Sequence, residues 1–129
     1  MNLFRVRREQ VAAMASASME TFEDNIMGHL RRVWTEETAR MTDAELREWV
    51  RYGVDRGRHY GIEAELDVAR FVDLMFLLDP RFDEDPMLPW ASEILLDPAL
   101  DGRRRVDALM ERAREFCNDA SRAHAAGQA

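Results

Sequence analysis

The chain has no lysine and only one cysteine, Cys117, in its 129 residues. A single thiol cannot close an internal bridge, so the fold must hold without a disulfide and suits a reducing compartment. No His lies near Cys117 in sequence, and it reads as a small helix residue rather than a nucleophile. Long apolar runs are also missing. No segment approaches the ~20 residues of a membrane span, and the opening MNLFRVRREQ lacks the apolar stretch of a signal peptide. The expectation is a cytoplasmic protein that does not meet the membrane by itself. Basic charge is in deficit: 25 acids against 18 arginines leave a formal charge of -7. That balance argues against nucleic acid, because phosphate contacts need a concentrated basic face.

Catalytic patterns are missing as well. His29, His59 and His124 are scattered, with no HExxH pair, and there is no Gly-rich phosphate loop, nucleophile elbow or CxxC. The acidic segment Asp79, Asp83, Glu84, Asp85 is the best candidate for a hard cation. Counted from Asp83, however, Leu88 and Ile94 stand where an EF-hand loop needs Gly and Glu. The expectation is no cofactor, no metal and no enzymatic activity.

The residues present include 47% hydrophobic and 33% charged, the composition of a globular domain. No strand-like alternation, fixed-period repeat or linker occurs, and the helical period runs almost throughout. From about Arg7 to Trp34, Val11, Met14, Phe22, Ile26, Met27 and Leu30 recur at steps of three and four, the pattern of one long helix or two with a kink. Gly28 inside it marks a possible helix crossing. A short connector with an acidic start covers 35–41. Thr42-Asp43-Ala44-Glu45 is a capping box that restarts the helix. The helix that follows, to Tyr60, has Leu46, Trp49, Val50, Gly53, Val54, Gly57 and Tyr60 on one stripe. Gly53 and Gly57, one turn apart, admit a close neighbour. Gly61 ends the helix.

The centre of the chain is 63–78, where Leu66, Val68, Ala69, Phe71, Val72, Leu74, Met75, Phe76, Leu77 and Leu78 are interrupted only by Asp67, Arg70 and Asp73. A helix apolar on nearly every side must be wrapped by others. After it, Asp79-Pro80, Asp85-Pro86 and Pro89 specify an ordered turn-rich loop over 79–89. Asp83 and Asp85 are expected to cap backbone N–H groups there, with Phe82 and Trp90 anchoring the loop. Pro89 opens a short helix to Leu96, and a last helix begins near Asp101 with Val106, Leu109, Met110, Ala113 and Phe116 on one face. Arg103, Arg104, Arg105, Arg112 and Arg114 are placed mainly outward, and 118–129 is expected to fray. The fold expected is all-α, a single bundle over 1–129 of about five helices around 63–78.

Arg56-Gly57-Arg58-His59-Tyr60-Gly61-Ile62, then Glu65 to Phe76, then Phe82-Asp83-Glu84-Asp85-Pro86 and Pro89-Trp90-Ala91 before Ile94-Leu95, resemble a family of small bacterial proteins encoded beside type VI secretion and polymorphic-toxin cargo genes. The likeness spans about residues 46 to 96, and the chain carries Asp79 where such proteins often have Gly after the central helix. The resemblance implies a cytoplasmic, non-enzymatic adaptor or chaperone-like protein that binds a secreted effector or a carrier component of the secretion system. The alternative is an immunity protein that neutralises a cognate toxin inside the cell. In either case the candidate partner-binding residues are Phe82, Asp83, Asp85 and Trp90.

Overall fold

A computed structural model describes residues 19–128. The protein is all-α: the described residues form six α-helices and one 3-10 turn, with no strand among them. The first helix, α1, covers residues 19–33, and the part of its expected extent at 7–18 lies outside the described residues. It is followed by α2 (Thr35–Ala39), α3 (Asp43–His59), α4 (Glu65–Leu77), the 3-10 turn Phe82–Glu84, α5 (Pro89–Leu95) and α6 (Gly102–Gln128). The chain divides into two compact units between Arg51 and Tyr52, a boundary that falls inside α3.

In the first unit, arginines of α1 and α3 tie the helices together. Arg31 donates from Nη1 to the Thr38 carbonyl (2.9 Å) and from Nη2 to the Met41 carbonyl (3.2 Å) and Asp43 Oδ1 (2.6 Å). One guanidinium thus ties together carbonyls at the end of α2, of which that of Thr38 also accepts from the Met41 N–H at 3.0 Å. Glu23 is buried and accepts from Arg47 Nη1 and Arg51 Nε, each at 2.9 Å. Burial alone would push its carboxyl up, but the hydrogen bonds and charges of Arg51 and Arg47 outweigh it and hold Glu23 below its usual range. Its contribution to stability is therefore complete above the ordinary glutamate range and is lost as pH falls through the lowered value. The α3 start is a capping box in a variant form. Thr42 Oγ1 accepts from the Glu45 N–H and donates to its carboxylate, both at 3.1 Å, so Glu45 reaches the hydroxyl rather than the backbone of the cap.

In the second unit, α3 ends where Gly61 adopts φ +75°. The Ile62 N–H bonds the Gly57 carbonyl (2.8 Å) and the Gly61 N–H bonds that of Arg58 (3.1 Å), a Schellman motif that closes the helix. The α4 and α5 helices both pack on α6, and α5 packs on the 3-10 turn. Val68, Ala69, Phe71, Val72, Leu74 and Met75 are buried on α4. Leu66 and Leu77, however, are 63% and 43% exposed, so α4 is not enclosed on all sides as its composition suggests. Residues 66 and 77 fall on the side opposite Val68, Phe71, Val72 and Met75, which the neighbouring helices cover. The helix is also shorter than expected. It begins at Glu65, preceded by Ala64 in an extended conformation without a side-chain cap.

The close approach expected on α3 is found at Gly53. A Cβ there would stand 2.5 Å from Val72 Cγ2 and 3.2 Å from Met75 Sδ. At Gly28 an added Cβ would meet, among the described residues, only the Arg32 guanidinium at 3.4 Å, so no described helix approaches it closely. Gly53→Ala is expected to lower stability, because overpacking costs about 1–3 kcal/mol and exceeds the gain of about 1 kcal/mol in helix propensity. Gly28→Ala should raise it slightly. Urea denaturation of the two variants checks the contrast.

The α6 helix starts at Gly102, capped by Asp101 Oδ1, which accepts from the Arg104 N–H at 2.9 Å. Arg105 does not face outward with its neighbours. It is half-buried and donates to the Tyr60 carbonyl (2.8 Å) and the Asp97 carbonyl (2.9 Å), linking the end of α3 to the turn before α6. The helix continues to Gln128, through residues read from sequence as a fraying tail, and residues 118–124 are exposed.

Candidate functional site

Residues 79–89 are held by their own turn chemistry. Asp79 Oδ1 accepts from the Arg81 N–H and Asp85 Oδ1 from the Met87 N–H, both at 2.8 Å. Short polar side chains that bond the backbone two residues on stabilise turns in this way. The 3-10 turn closes with the Phe82 N–H on the Asp79 carbonyl (3.0 Å) and the Glu84 N–H on that of Arg81 (3.0 Å). The Leu88 N–H bonds the Asp85 carbonyl (3.0 Å), and Pro89 opens α5 as expected.

The loop is fastened to α3 by Asp83. Its Oδ2 accepts from Arg56 Nε (2.9 Å), Arg56 Nη2 (2.6 Å) and the Tyr60 hydroxyl (2.9 Å), while Arg56 Nη2 also reaches Glu84 Oε1 at 3.0 Å. Arg56 and Tyr60 are one helical turn apart, so they share a face of α3, and the guanidinium lies 5.4 Å from the Tyr60 ring centre. Asp83 is buried, and its Oδ1 has no hydrogen-bond donor. Burial alone pulls the Arg56 guanidinium down, but the hydrogen bond and charge of Asp83 outweigh it and hold Arg56 above its ordinary value.

Burial, the hydrogen bond to Asp83 and the charge of Asp83 push the Tyr60 phenol up from its ordinary 10.0 to about 12, against the opposing pull of Arg56. A raised folded value means that the contribution is complete below the unfolded value and fades as pH rises through the folded one. Stability is expected to fall by about 2–3 kcal/mol as pH rises from about 10 to about 12. Phenolate absorbance should show a component titrating near 12 that Tyr60→Phe removes.

The four residues singled out from sequence do not share one surface. Phe82 is fully buried, with its ring 5.1 Å from that of Phe71, and Asp83 is buried beneath the loop. Asp83 bonds Arg56 and Tyr60 rather than capping the backbone, because both side chains on α3 face it; Asp85 does cap, as expected. Trp90 is half-buried, with its ring 6.0 Å from Phe116 and 5.3 Å from the Arg112 guanidinium. Of the four, only Asp85 and Trp90 are reachable from solvent, each half-buried. Sequence reasoning placed Tyr60 on the apolar stripe of α3, where it is buried, but gave its hydroxyl no partner, and it assigned no contact to Arg56 or Met87. The spacing of Arg56 and Tyr60 on one helix face was the available signal for the first two, whereas the exposure of Met87 is set by the turn.

Asp79, Asp83 and Asp85 are thus each engaged by a donor, and among the described residues no group of three or more His, Cys, Asp or Glu side chains could hold a metal ion. Among them, too, no helix is long and apolar enough to cross a membrane. Fold and site together define an all-α protein whose acidic, proline-punctuated loop is bolted to a helix by half-buried Arg56, which pairs with buried Asp83 and exposed Glu84. No family model, curated protein or solved structure matches the chain.

Proposed function

We propose that this chain is a non-enzymatic, cytoplasmic adaptor or chaperone-like protein that binds a secreted effector or a carrier component of a type VI secretion system through the 79–90 loop. The observation that carries the reading is the fastening of this loop by three donors on one carboxylate oxygen of Asp83. A loop already held in one shape loses little conformational freedom on binding, which is the advantage of preorganisation. The class of partner rests on the resemblance read from the sequence of residues 46–96 alone.

The acid excess of the chain, formally -7, supports the immunity reading as a second possibility, since an acidic surface suits a basic toxin. Co-expression with each product of the adjoining genes separates the two. An adaptor raises the yield of soluble cargo and co-purifies with it, and Asp83→Asn, which loosens the loop, weakens that association. An immunity protein restores growth to cells making a toxin without changing its solubility. Failure to bind any adjoining product overturns both readings.

A further inference from the structure

We infer that Met87 is the anchor of the binding loop and enters an apolar pocket with a basic rim on the partner. The inference rests on the adaptor reading above and names the chemistry of the partner's surface. Met87 is 81% exposed, more than any other large hydrophobic residue among those described; Leu96 and Leu66 follow at 64% and 63%. It stands on fixed backbone, because its N–H is held by Asp85 Oδ1 and the next N–H by the Asp85 carbonyl, with Pro86 and Pro89 on either side. A thioether in water gains nothing from exposure. Buried in a partner it supplies the apolar contact typical of the residues that dominate binding energy, and its flexibility suits an imperfect pocket.

The charge around it selects the partner. Exposed Asp79 and half-exposed Asp85 share the loop with one exposed cation, Arg81, while exposed Glu84 is already paired with Arg56 at 3.0 Å. An acidic rim of that kind repels acidic surfaces and favours one lined with Arg or Lys.

The test uses the full chain in its source cells, with a photo-crosslinking amino acid in place of Met87 and, as a control, in place of Leu66. The protein captured at position 87 is identified by mass spectrometry and made separately, and its affinity for the unmodified chain and for variants is measured. Met87→Asp is expected to weaken binding by about 30-fold or more, the scale of an anchor residue, and Met87→Leu by less than about 3-fold, because volume and polarity are kept. Added salt is expected to weaken the complex, as charge pairing at a rim requires. Absence of a cross-link at 87, equal capture at 66, unchanged affinity in Met87→Asp, or insensitivity to salt overturns the inference. Asp83→Asn separates the two proposals. If it weakens binding while Met87→Asp does not, the loop reading stands and the anchor is wrong; if neither matters, the loop is not the interface.

Discussion

Asp83→Ala is expected to cost about 3 kcal/mol or more of folding stability, as removal of one partner from a buried ion pair does. The loss comes less from the attraction removed than from what stays behind. Arg56, whose side chain is 23% exposed, keeps its charge with the exposed Glu84 as its only remaining anion and the Tyr60 hydroxyl as a neutral acceptor, and that buried hydroxyl loses its own acceptor. Asp83→Asn keeps an acceptor oxygen without the charge and should lose less. Replacing Arg56 by Met in the Asp83→Ala background should return part of the loss, since no unpaired charge then remains. Urea denaturation at constant slope measures each variant. Amide exchange at Met87 and Leu88 reports whether the loop loosens before the chain unfolds. A loss below about 1 kcal/mol in Asp83→Ala would place this pair among surface salt bridges and leave the loop without its fastening.

Phe82→Ala is expected to cost about 3–5 kcal/mol, the range for deleting a buried aromatic ring. Phe82 is fully buried with its ring 5.1 Å from Phe71, which in turn lies 6.5 Å from Tyr60, so the cavity would open inside an aromatic row. Trp90→Ala should cost less, because Trp90 is half-buried and one of its contacts is the partly exposed guanidinium of Arg112. Thermal melts of the two variants rank them directly. Phe82→Ala and Asp83→Ala combined should lose less than the sum of their effects, since adjacent residues of one turn share the same neighbours. Equal losses for Phe82 and Trp90 would contradict the burial difference between them.

The helices were legible because their signals are local. Thr42 to Glu45 marked a start, Gly61 an end and Pro89 another start, and each depends on backbone geometry within a few residues. The loop's existence was legible for the same reason: Asp before Pro, twice, restricts the chain whatever packs on it. The enclosure of α4 was misread, because ten apolar residues in a short stretch say how much can be buried and not which side neighbours reach. Leu66 and Leu77 stay exposed on that account.

The partners of charged side chains could not be read from spacing. Arg105 was grouped with outward arginines and instead bonds the carbonyls of Tyr60 and Asp97, and Asp83 was taken for a local cap and instead bonds Arg56, 27 residues before it. By itself, then, the sequence determined the all-α class, the helix ends and the turn-rich loop, since these follow from periodicity and short-range backbone chemistry. Tertiary structure alone decided which acid would be buried, which arginine would meet it and that Met87 would stand clear in solvent, because those outcomes depend on how elements distant in the chain come together.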